Sequence, residues 1–230
     1  KKNINKRHKI LILGGGSYVA GFFIKLLLEA KNIDLTVFNR TKLRNIPNSN
    51  QYNFEIFKNK KIYKIIKREK YDLIYNFLNC KNNSIYQNLK INYFFNISLM
   101  NFVLENKIKS KIIFIGSASE YFFANKKLLI QKIQKNNYYA FTKYLFFTYL
   151  ENIISSNLIN NKNILYLRIH NLLGPKLPSY LMIPEIYKRI KKTSKSKMTI
   201  FCVNNLNNSR DYINVKDVAK ILFHSIWCIA

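Results

Sequence analysis

The chain has few of the residues that interrupt regular structure, bind metals or form disulfides. Its 230 residues include six glycines, four prolines, three cysteines and three histidines. The cysteines, at positions 80, 202 and 228, are far apart and form no C-x-x-C pair. Neither a disulfide framework nor a zinc site therefore has the ligands it needs. We expect reduced thiols and no metal.

Long apolar runs are also missing. Lys or Asn interrupts every candidate before it reaches the ~18 residues that a membrane span needs. The basic start of the sequence leads into a strand and a glycine turn, which is not the pattern of a signal peptide. Because 48% of the residues are apolar, the chain can bury one sizeable core. We expect a cytoplasmic protein that has no contact with a membrane.

Acidic residues are scarce as well, since 11 Asp and Glu stand against 39 Lys and Arg, for a formal charge of +28. Such a charge could neutralise the phosphates of a nucleic acid. However, Lys, Asn, Ile, Phe and Tyr are all abundant, as AT-rich coding produces, and the lysines are spread along the whole chain. We therefore expect no nucleic-acid partner, and a solvated basic surface that attracts anionic small molecules.

Short apolar runs alternate with helix-like stretches through most of the sequence. This alternation predicts β-α-β units and an α/β fold with a Rossmann-type doubly wound parallel sheet. After Pro175 the pattern loosens. We expect a dinucleotide-binding domain at 1–174 and a small, incomplete substrate-binding lobe at 175–230, whose last helix returns to the first domain. The predicted strands are 9–15, 34–39, 52–57, 71–78, 111–119 and 163–174.

The stretch GGGSYVAG lies between the first predicted strand and the first predicted helix. A dinucleotide-binding fold needs a tight turn there, whose backbone N–H groups meet a pyrophosphate at the helix N-terminus. Gly14 supplies the turn, while Ser17 and Ala20 stand where the second and third glycines of G-x-x-G-x-x-G would be. We expect Gly14, Ser17, Tyr18 and Val19 to bind the cofactor. The alternative is a simple strand-to-helix turn.

The second strand ends in VFNRT, which places Asn39 and Arg40 where an NAD-binding site usually has a carboxylate for the ribose. An Arg there can pair with a 2′-phosphate, which favours NADP over NAD. The alternative is a solvent-facing Arg on a basic protein, and the two interpretations stay open.

Three polar residues near the predicted carboxyl end of the sheet suggest acid–base chemistry. Ser117 ends a strand, at the edge where open α/β sheets bind their ligands. Tyr139 and Lys143 are four residues apart in a helix and so share one face. Bringing a tyrosine from a pKa near ~10 to ~7 requires about 4 kcal/mol of stabilisation of the phenolate. A neighbouring ammonium and an oxidised nicotinamide could provide it.

In chain order, the glycine turn, GSASEY, YAFTK, LRIHNLLGP and RDYINVKDVA resemble the motifs of the extended short-chain dehydrogenase/reductases. These form the NAD-dependent epimerase/dehydratase family, which acts on nucleotide sugars. The resemblance covers nearly the whole chain. It implies that Tyr139 is the acid/base, that Lys143 binds the cofactor ribose and lowers the pKa of the tyrosine, and that Ser117 hydrogen-bonds the reacting oxygen.

The same resemblance implies that Asn171 and Arg210 contact the nucleotide diphosphate and that Asn92 lies on a helix behind the lysine. One departure bears on the reaction. Where 4,6-dehydratases of the family have an Asp-Glu pair after the Ser or Thr, this chain has Ala118 and Ser119. Water elimination needs that extra acid and base, so we do not expect a dehydratase.

The sequence thus predicts an NAD(P)-dependent oxidoreductase that acts at C4 of a nucleotide-linked sugar, as a 4-keto reductase or a 4-epimerase. Of these two reactions, Arg40 favours the reductase, with NADPH as its cofactor. The alternative is a truncated or inactive relative that binds a cofactor without catalysis, because the glycine motif is substituted and the predicted lobe is short. A nucleotide sugar is the expected partner, and a homodimer is left open.

Overall fold

A parallel sheet of six strands forms the centre of the protein. The computed structural model describes residues 7–44, 46–47, 51–53, 61–124, 137–158, 161–179, 181–193 and 209–229. The strands of the sheet are β1 (His8–Leu13), β2 (Ile33–Asn39), β3 (Gln51–Asn53), β4 (Leu73–Asn76), β5 (Lys111–Ser117) and β6 (Ile164–Ile169). Their order is β3-β2-β1-β4-β5-β6. The order reverses between β1 and β4, as in a doubly wound Rossmann-type sheet, so the predicted fold class is confirmed.

Helices cover both faces of the sheet. They are α1 (Tyr18–Glu29), α2 (Lys61–Glu69), α3 (Ile85–Leu89), α4 (Phe95–Glu105), α5 (Tyr121–Ala124), α6 (Tyr138–Ser155), α7 (Met182–Thr193) and α8 (Val215–Ile229), with a π-helical turn at Lys90–Phe94 between α3 and α4. Among the described residues, no helix combines the length and the apolar character that crossing a membrane requires.

Alternate side chains of the central strands enter two separate cores. On β1, Ile10 and Ile12 pack into the core beneath α1 and α8, while Leu11 and Leu13 pack into the core beneath α2, α4 and α6. Because successive side chains of a strand point to opposite faces, and helices cover both faces here, β1 reads as a continuous apolar run.

The predicted strand at 163–174 is divided in two by the structure. Its first part is β6, and after His170 the chain forms β7 (Asn171–Leu173), which pairs in parallel with β8 (Tyr212–Asn214) in a separate two-stranded sheet. The break follows from a change of partner, because β6 pairs with β5 only through Ile169. Of the strand predicted at 52–57, residues 54–57 lie outside the described part of the chain.

Helix α8 packs against α1 on one face of the sheet, where Leu222 and Ile226 are buried. Tyr75 on β4 is within hydrogen-bond distance of the carbonyl of Leu222 (3.3 Å) and of Ser225 Oγ (3.2 Å). The segment Tyr212–Asn214, which precedes α8, pairs with β7 and so lies close to the carboxyl end of β6. The domain boundary at 174 remains a prediction.

Candidate active site

The turn after β1 is tied to the end of β2. Gly14 has φ +81°, and its N–H donates to the carbonyl of Phe38 at 2.9 Å. A Cβ at Gly14 would lie 3.0 Å from the backbone N of Leu78. A side chain is therefore excluded both by the backbone conformation and by the close approach of the neighbouring chain. The glycine thus lets the turn pack directly against the chain that follows β4.

Asn39 braces this turn, a role that the sequence did not suggest. Its Oδ1 accepts from Gly16 N–H at 3.1 Å, and its Nδ2 donates to the carbonyl of Thr41 at 2.9 Å. Ser17 caps α1, since its Oγ accepts from Ala20 N–H at 3.2 Å. Asn39 thus holds the turn in shape, and a ribose would have to compete with the turn for its side chain.

A cleft of about 690 Å³ opens between the turn and the loop after β4, with Gly14, Gly16, Ser17, Asn39, Arg40 and Cys80 among its lining residues. Arg40 is exposed at this cleft. Burial raises the pKa of the Cys80 thiol, and the Arg40 charge opposes that rise. The predicted cofactor residues Gly14, Ser17 and Arg40 therefore lie together. Within the described ranges, no group of three or more His, Cys, Asp or Glu could hold a metal ion.

Tyr18 and Val19 direct their side chains elsewhere. Tyr18 OH donates to the carbonyl of Pro175 at 2.9 Å, and Val19 is buried in the core beneath α1. Any contact of these two residues with a cofactor would be made by their backbone N–H groups, which belong to the first turn of α1 and have no partner within the helix.

Ser117 ends β5 and caps the following turn. Its Oγ is 2.8 Å from Ser119 Oγ and accepts from Ser119 N–H at 3.3 Å. Its own N–H donates to Glu120 Oε1 at 2.6 Å, which completes a capping box. Ser119, which sequence analysis treated only as the replacement of a dehydratase acid, thus adds a second hydroxyl beside the predicted one.

Lys143 is a buried cation on α6. It is 3% exposed, and its Nζ donates to the carbonyl of Ile115 on β5 at 2.6 Å. The same Nζ lies 5.9 Å from the ring centroid of Tyr139, one helical turn earlier. Burial lowers the pKa of Lys143 to about 8, and the charge of Glu120 opposes that shift. The ammonium therefore stays mostly protonated at neutral pH and loses its proton just above it.

Lys143 links the other two predicted catalytic residues. Ile115, which accepts from the lysine, is two residues before Ser117 on the same strand, and the ring of Tyr139 lies near the lysine Nζ. Lys143 therefore contacts both Tyr139 and the strand that ends at Ser117.

A chain of buried amides links the cofactor cleft to α6. Asn92, within the π-helical turn, accepts from Cys80 N–H and donates to the Cys80 carbonyl, both at 2.8 Å, and also donates to Thr142 Oγ1 at 3.0 Å. Asn96 donates to the carbonyl of Asn92, and Asn76 donates to Asn96. Such π turns are frequent at functional sites. Here the turn brings Asn92 within reach of both the cleft wall and the residue before Lys143.

Of the predicted substrate residues, Asn171 begins β7 and Arg210 lies two residues before β8. Asn171 Nδ2 donates to the carbonyl of Asp211 at 3.1 Å, which brings Asn171 next to the segment that carries Arg210. Both Asn171 and Arg210 are exposed. The Asp211 carboxylate lies 3.6 Å from His170 Nδ1.

The sheet order is that of a Rossmann-type fold, and Tyr139 and Lys143 lie one turn apart on α6. The model of the NAD dependent epimerase/dehydratase family matches residues 10–226, and the chain belongs to this family. The predicted resemblance is therefore confirmed. No curated protein sequence is significantly similar to the chain.

Solved structures of nucleotide-sugar epimerases share the fold. The UDP-N-acetylglucosamine 4-epimerase of Methanobrevibacter ruminantium, in complex with UDP-N-acetylmuramic acid, is 21% identical with a TM-score of 0.69, over 94% of this chain and 71% of that one. The UDP-glucose 4-epimerase of Thermus thermophilus, in complex with NAD, is 15% identical with a TM-score of 0.67, over 95% and 73%. The UDP-glucuronic acid 4-epimerase of Bacillus cereus, with NAD, is 17% identical with a TM-score of 0.70, over 95% and 73%.

Proposed function

We propose that the chain is an NAD(P)-dependent oxidoreductase that acts at C4 of a nucleotide-linked sugar, with Tyr139 as the acid/base. A bound nicotinamide dinucleotide, held by the glycine turn and the first turn of α1, would supply the hydride acceptor or donor. Tyr139 accepts the proton of the C4 hydroxyl when a hydride leaves C4, and it returns a proton to that oxygen in the reverse direction. The Ser117 hydroxyl hydrogen-bonds the same oxygen.

The observation that carries this proposal is the buried ammonium of Lys143 beside Tyr139. A charge 5.9 Å from the tyrosine ring stabilises a phenolate by roughly 3 kcal/mol at an effective dielectric constant of ~20. A lysine on an open surface would supply much less, because water and salt would screen it. Burying an ammonium is unfavourable unless the charge is paired and hydrogen-bonded, and we propose that a phenolate and a ribose hydroxyl are partners of this one.

The substrate side of the proposal rests on Asn171 and Arg210. The side chain of Asn171 and the backbone next to Arg210 are joined by a hydrogen bond, and both residues are exposed, as a site for an incoming ligand requires. A guanidinium can bind a diphosphate with two parallel hydrogen bonds. We propose that this pair contacts the diphosphate of a nucleotide sugar, which is consistent with the UDP-N-acetylmuramic acid bound to the structural relative.

Two reactions at C4 fit this machinery, and different observations favour each. The epimerase names of the structural relatives favour 4-epimerisation through a transient ketone, with NAD that is regenerated in each turnover. Arg40 at the cleft favours NADP and so a 4-keto reductase. Net oxidation of NADPH during turnover would identify a reductase, whereas interconversion of two sugars with no net change in absorbance at 340 nm would identify an epimerase. The cytoplasmic location stays a prediction, and the homodimer stays open.

The experiment that tests the proposal compares Tyr139→Phe with Tyr138→Phe, its neighbour on α6. Nucleotide carried by the purified protein is identified by mass spectrometry, and activity is measured on a panel of nucleotide sugars. We expect Tyr139→Phe to lose 10²–10⁴-fold in kcat, the usual contribution of general acid–base catalysis, and to keep its cofactor affinity. Tyr138→Phe should keep both. A Tyr139→Phe variant with more than about a tenth of the wild-type rate, or an unmutated protein without dinucleotide affinity, would refute the proposal. An unmutated protein that binds a dinucleotide but converts no sugar of the panel would favour the inactive relative.

A further inference from the structure

Glu120 is a fully buried carboxylate beside the candidate catalytic residues, and sequence analysis gave it no role. It is 0% exposed. Its Oε1 accepts from Ser117 N–H at 2.6 Å and from Tyr166 OH at 2.9 Å, and its Oε2 accepts from Arg168 Nε at 3.0 Å. A carboxylate that is fully buried and already accepts three hydrogen bonds is not accessible to a substrate proton. Its contacts point to a different role.

The residues around Glu120 hold it rigidly. The guanidinium of Arg168 lies 3.8 Å from the ring centroid of Phe147, which leaves it little freedom to turn away from the carboxylate. Tyr166 passes against β5 at Gly116, where a Cβ would lie 2.4 Å from the tyrosine ring and 2.8 Å from Glu120 Oε1. Burial, followed by the Glu120 charge, raises the pKa of Tyr166 well above its usual value, so its hydroxyl remains a donor at any physiological pH.

We propose that Glu120 is a positioning residue of this site: its buried carboxylate fixes Ser117 at the end of β5, and its charge keeps the Lys143 ammonium protonated beside Tyr139. The positioning rests on the capping box, which sets the backbone and the hydroxyl of Ser117. The charge effect rests on the buried location of both groups, where electrostatic interactions are screened much less than at the surface. The catalytic meaning of this inference depends on the function proposed above.

The groups that face Lys143 come from three elements. Tyr139 lies on α6 itself, Glu120 follows β5, and Tyr166 lies on β6, where its OH is 3.4 Å from the backbone carbonyl of Lys143. Arg168, also on β6, is linked to this group through its ion pair with Glu120. Among these groups only Glu120 bears a negative charge at neutral pH. Arg168 pairs with Glu120 and so offsets part of its effect. Removing the charge of Glu120 should therefore destabilise the protonated form of Lys143 and lower its pKa. Removing the charge of Arg168 should have the opposite effect.

The direct test is the titration of Lys143, followed by NMR of ¹³Cε-labelled lysine, with the resonance assigned by its absence in Lys143→Met. In Glu120→Gln we expect the midpoint of the titration to fall by on the order of one pH unit. Tyr166→Phe is the matched control, because it removes one hydrogen bond to Glu120 and keeps the charge, and its midpoint should equal that of the wild type. Equal midpoints in Glu120→Gln and the wild type would overturn the proposal, as would equal shifts in both variants.

Arg168→Met provides a test that does not require Glu120→Gln to fold. Methionine can still pack on Phe147, the Glu120 charge is then unopposed, and the midpoint of Lys143 should rise. A fall or no change in this variant would refute the role of the charge.

Kinetics extend the test to the reaction. If the midpoint moves from 8 to 7, about a tenth of the lysine is protonated at pH 8 instead of half, whereas at pH 6 nearly all of it is protonated in both proteins. The fall in kcat caused by Glu120→Gln should therefore be about fivefold larger at pH 8 than at pH 6. KM for the nucleotide sugar should change less than about twofold, since Asn171 and Arg210 are untouched. If the unmutated protein proves inactive, the proposed function fails while the lysine titration still decides the role of Glu120.

Discussion

Replacing Lys143 by methionine should stabilise the fold and abolish activity. The pKa of Lys143 falls from the ordinary 10.5 to about 8, chiefly because burial penalises the ammonium. The difference between these values, at ~1.36 kcal/mol for each pH unit, corresponds to roughly 3 kcal/mol of destabilisation at neutral pH. Methionine has nearly the same length and no charge, so it removes this penalty.

Part of the gain is lost again, because the variant also lacks a hydrogen bond. Nζ of Lys143 donates to the carbonyl of Ile115, and its removal costs about 1 kcal/mol. The expected net stabilisation at pH 7 is therefore about 2 kcal/mol. For a chain of this size that corresponds to a rise in Tm of roughly 4–8 °C.

The gain should depend on pH in a defined direction. Because the folded-state pKa lies below the unfolded-state value, the unfolded wild type binds more protons between pH ~8 and ~10.5, and its stability rises across that window. The penalty is complete below pH ~8 and absent above ~10.5. Lys143→Met lacks this rise, so its advantage over the wild type should shrink as the pH increases and change sign at the alkaline end.

Urea unfolding of both proteins at pH 7 and at pH 10 measures these differences, because groups that titrate in both proteins cancel in the comparison. Lys25→Met, on the exposed face of α1, is the matched control and should change stability by less than about 0.5 kcal/mol at either pH. If Lys143→Met is less stable than the wild type at pH 7 and the difference is the same at pH 10, Lys143 is not a penalised buried cation. The electrostatic basis of the proposed acid/base would then be lost.

Three further predictions address the cofactor, the substrate and the backbone. Arg40→Ala should lose on the order of tenfold or more in NADP affinity and little in NAD affinity, because a charge-assisted pair contributes roughly 1.5–3 kcal/mol; equal affinities of the unmutated protein for both would contradict this. Arg210→Lys should weaken nucleoside diphosphate binding in calorimetry and leave cofactor binding unchanged, since the planar fork is lost; identical dissociation constants would make Arg210 structural. Lys107→Gly should raise stability by about 0.5–1 kcal/mol in urea unfolding, because Lys107 has φ +49° just after α4, where glycine is favoured. Lys109→Gly, at a residue without positive φ, should instead lower it.

Much of the fold and of the site followed from local patterns, and what was missed depends on tertiary contacts. The i, i+4 spacing of Tyr139 and Lys143 predicted a shared helix face, but no local pattern indicates that the carbonyl of Ile115 would receive the ammonium. Glu120 did leave a signal that could have been used, since S-x-x-E is the pattern of a capping box. Its burial against β6 was not predictable, because β6 lies more than forty residues further along the chain.

The change of direction after β6 was missed for a related reason. The stretch from Asn163 to Gly174 is apolar enough for one continuous strand, and only the pairing of β7 with β8 divides it. In the sequence, Asn39 was notable only because an NAD-binding site usually has a carboxylate at that position. In the structure its side-chain oxygen accepts a hydrogen bond from Gly16 N–H. A residue that supports backbone leaves no periodic signature, whereas a residue that fills a core does.

The hydrogen bonds that run from Asn76 through Asn96 and Asn92 to Thr142 join only groups that carry no charge. Amides and hydroxyls do not ionise near neutral pH, and hydrogen bonds between neutral groups are not weakened by the ionic atmosphere that screens charges. The scaffold that joins the cleft wall to α6 is therefore insensitive to acidity and ionic strength, while the ammonium that it supports titrates near pH 8. A change of pH alters the charge of Lys143 and leaves these hydrogen bonds unchanged. A mutation of Asn92 removes hydrogen bonds and leaves the charge of Lys143 in place. The charge of Lys143 and the hydrogen bonds that join the cleft wall to α6 can thus be varied independently of each other.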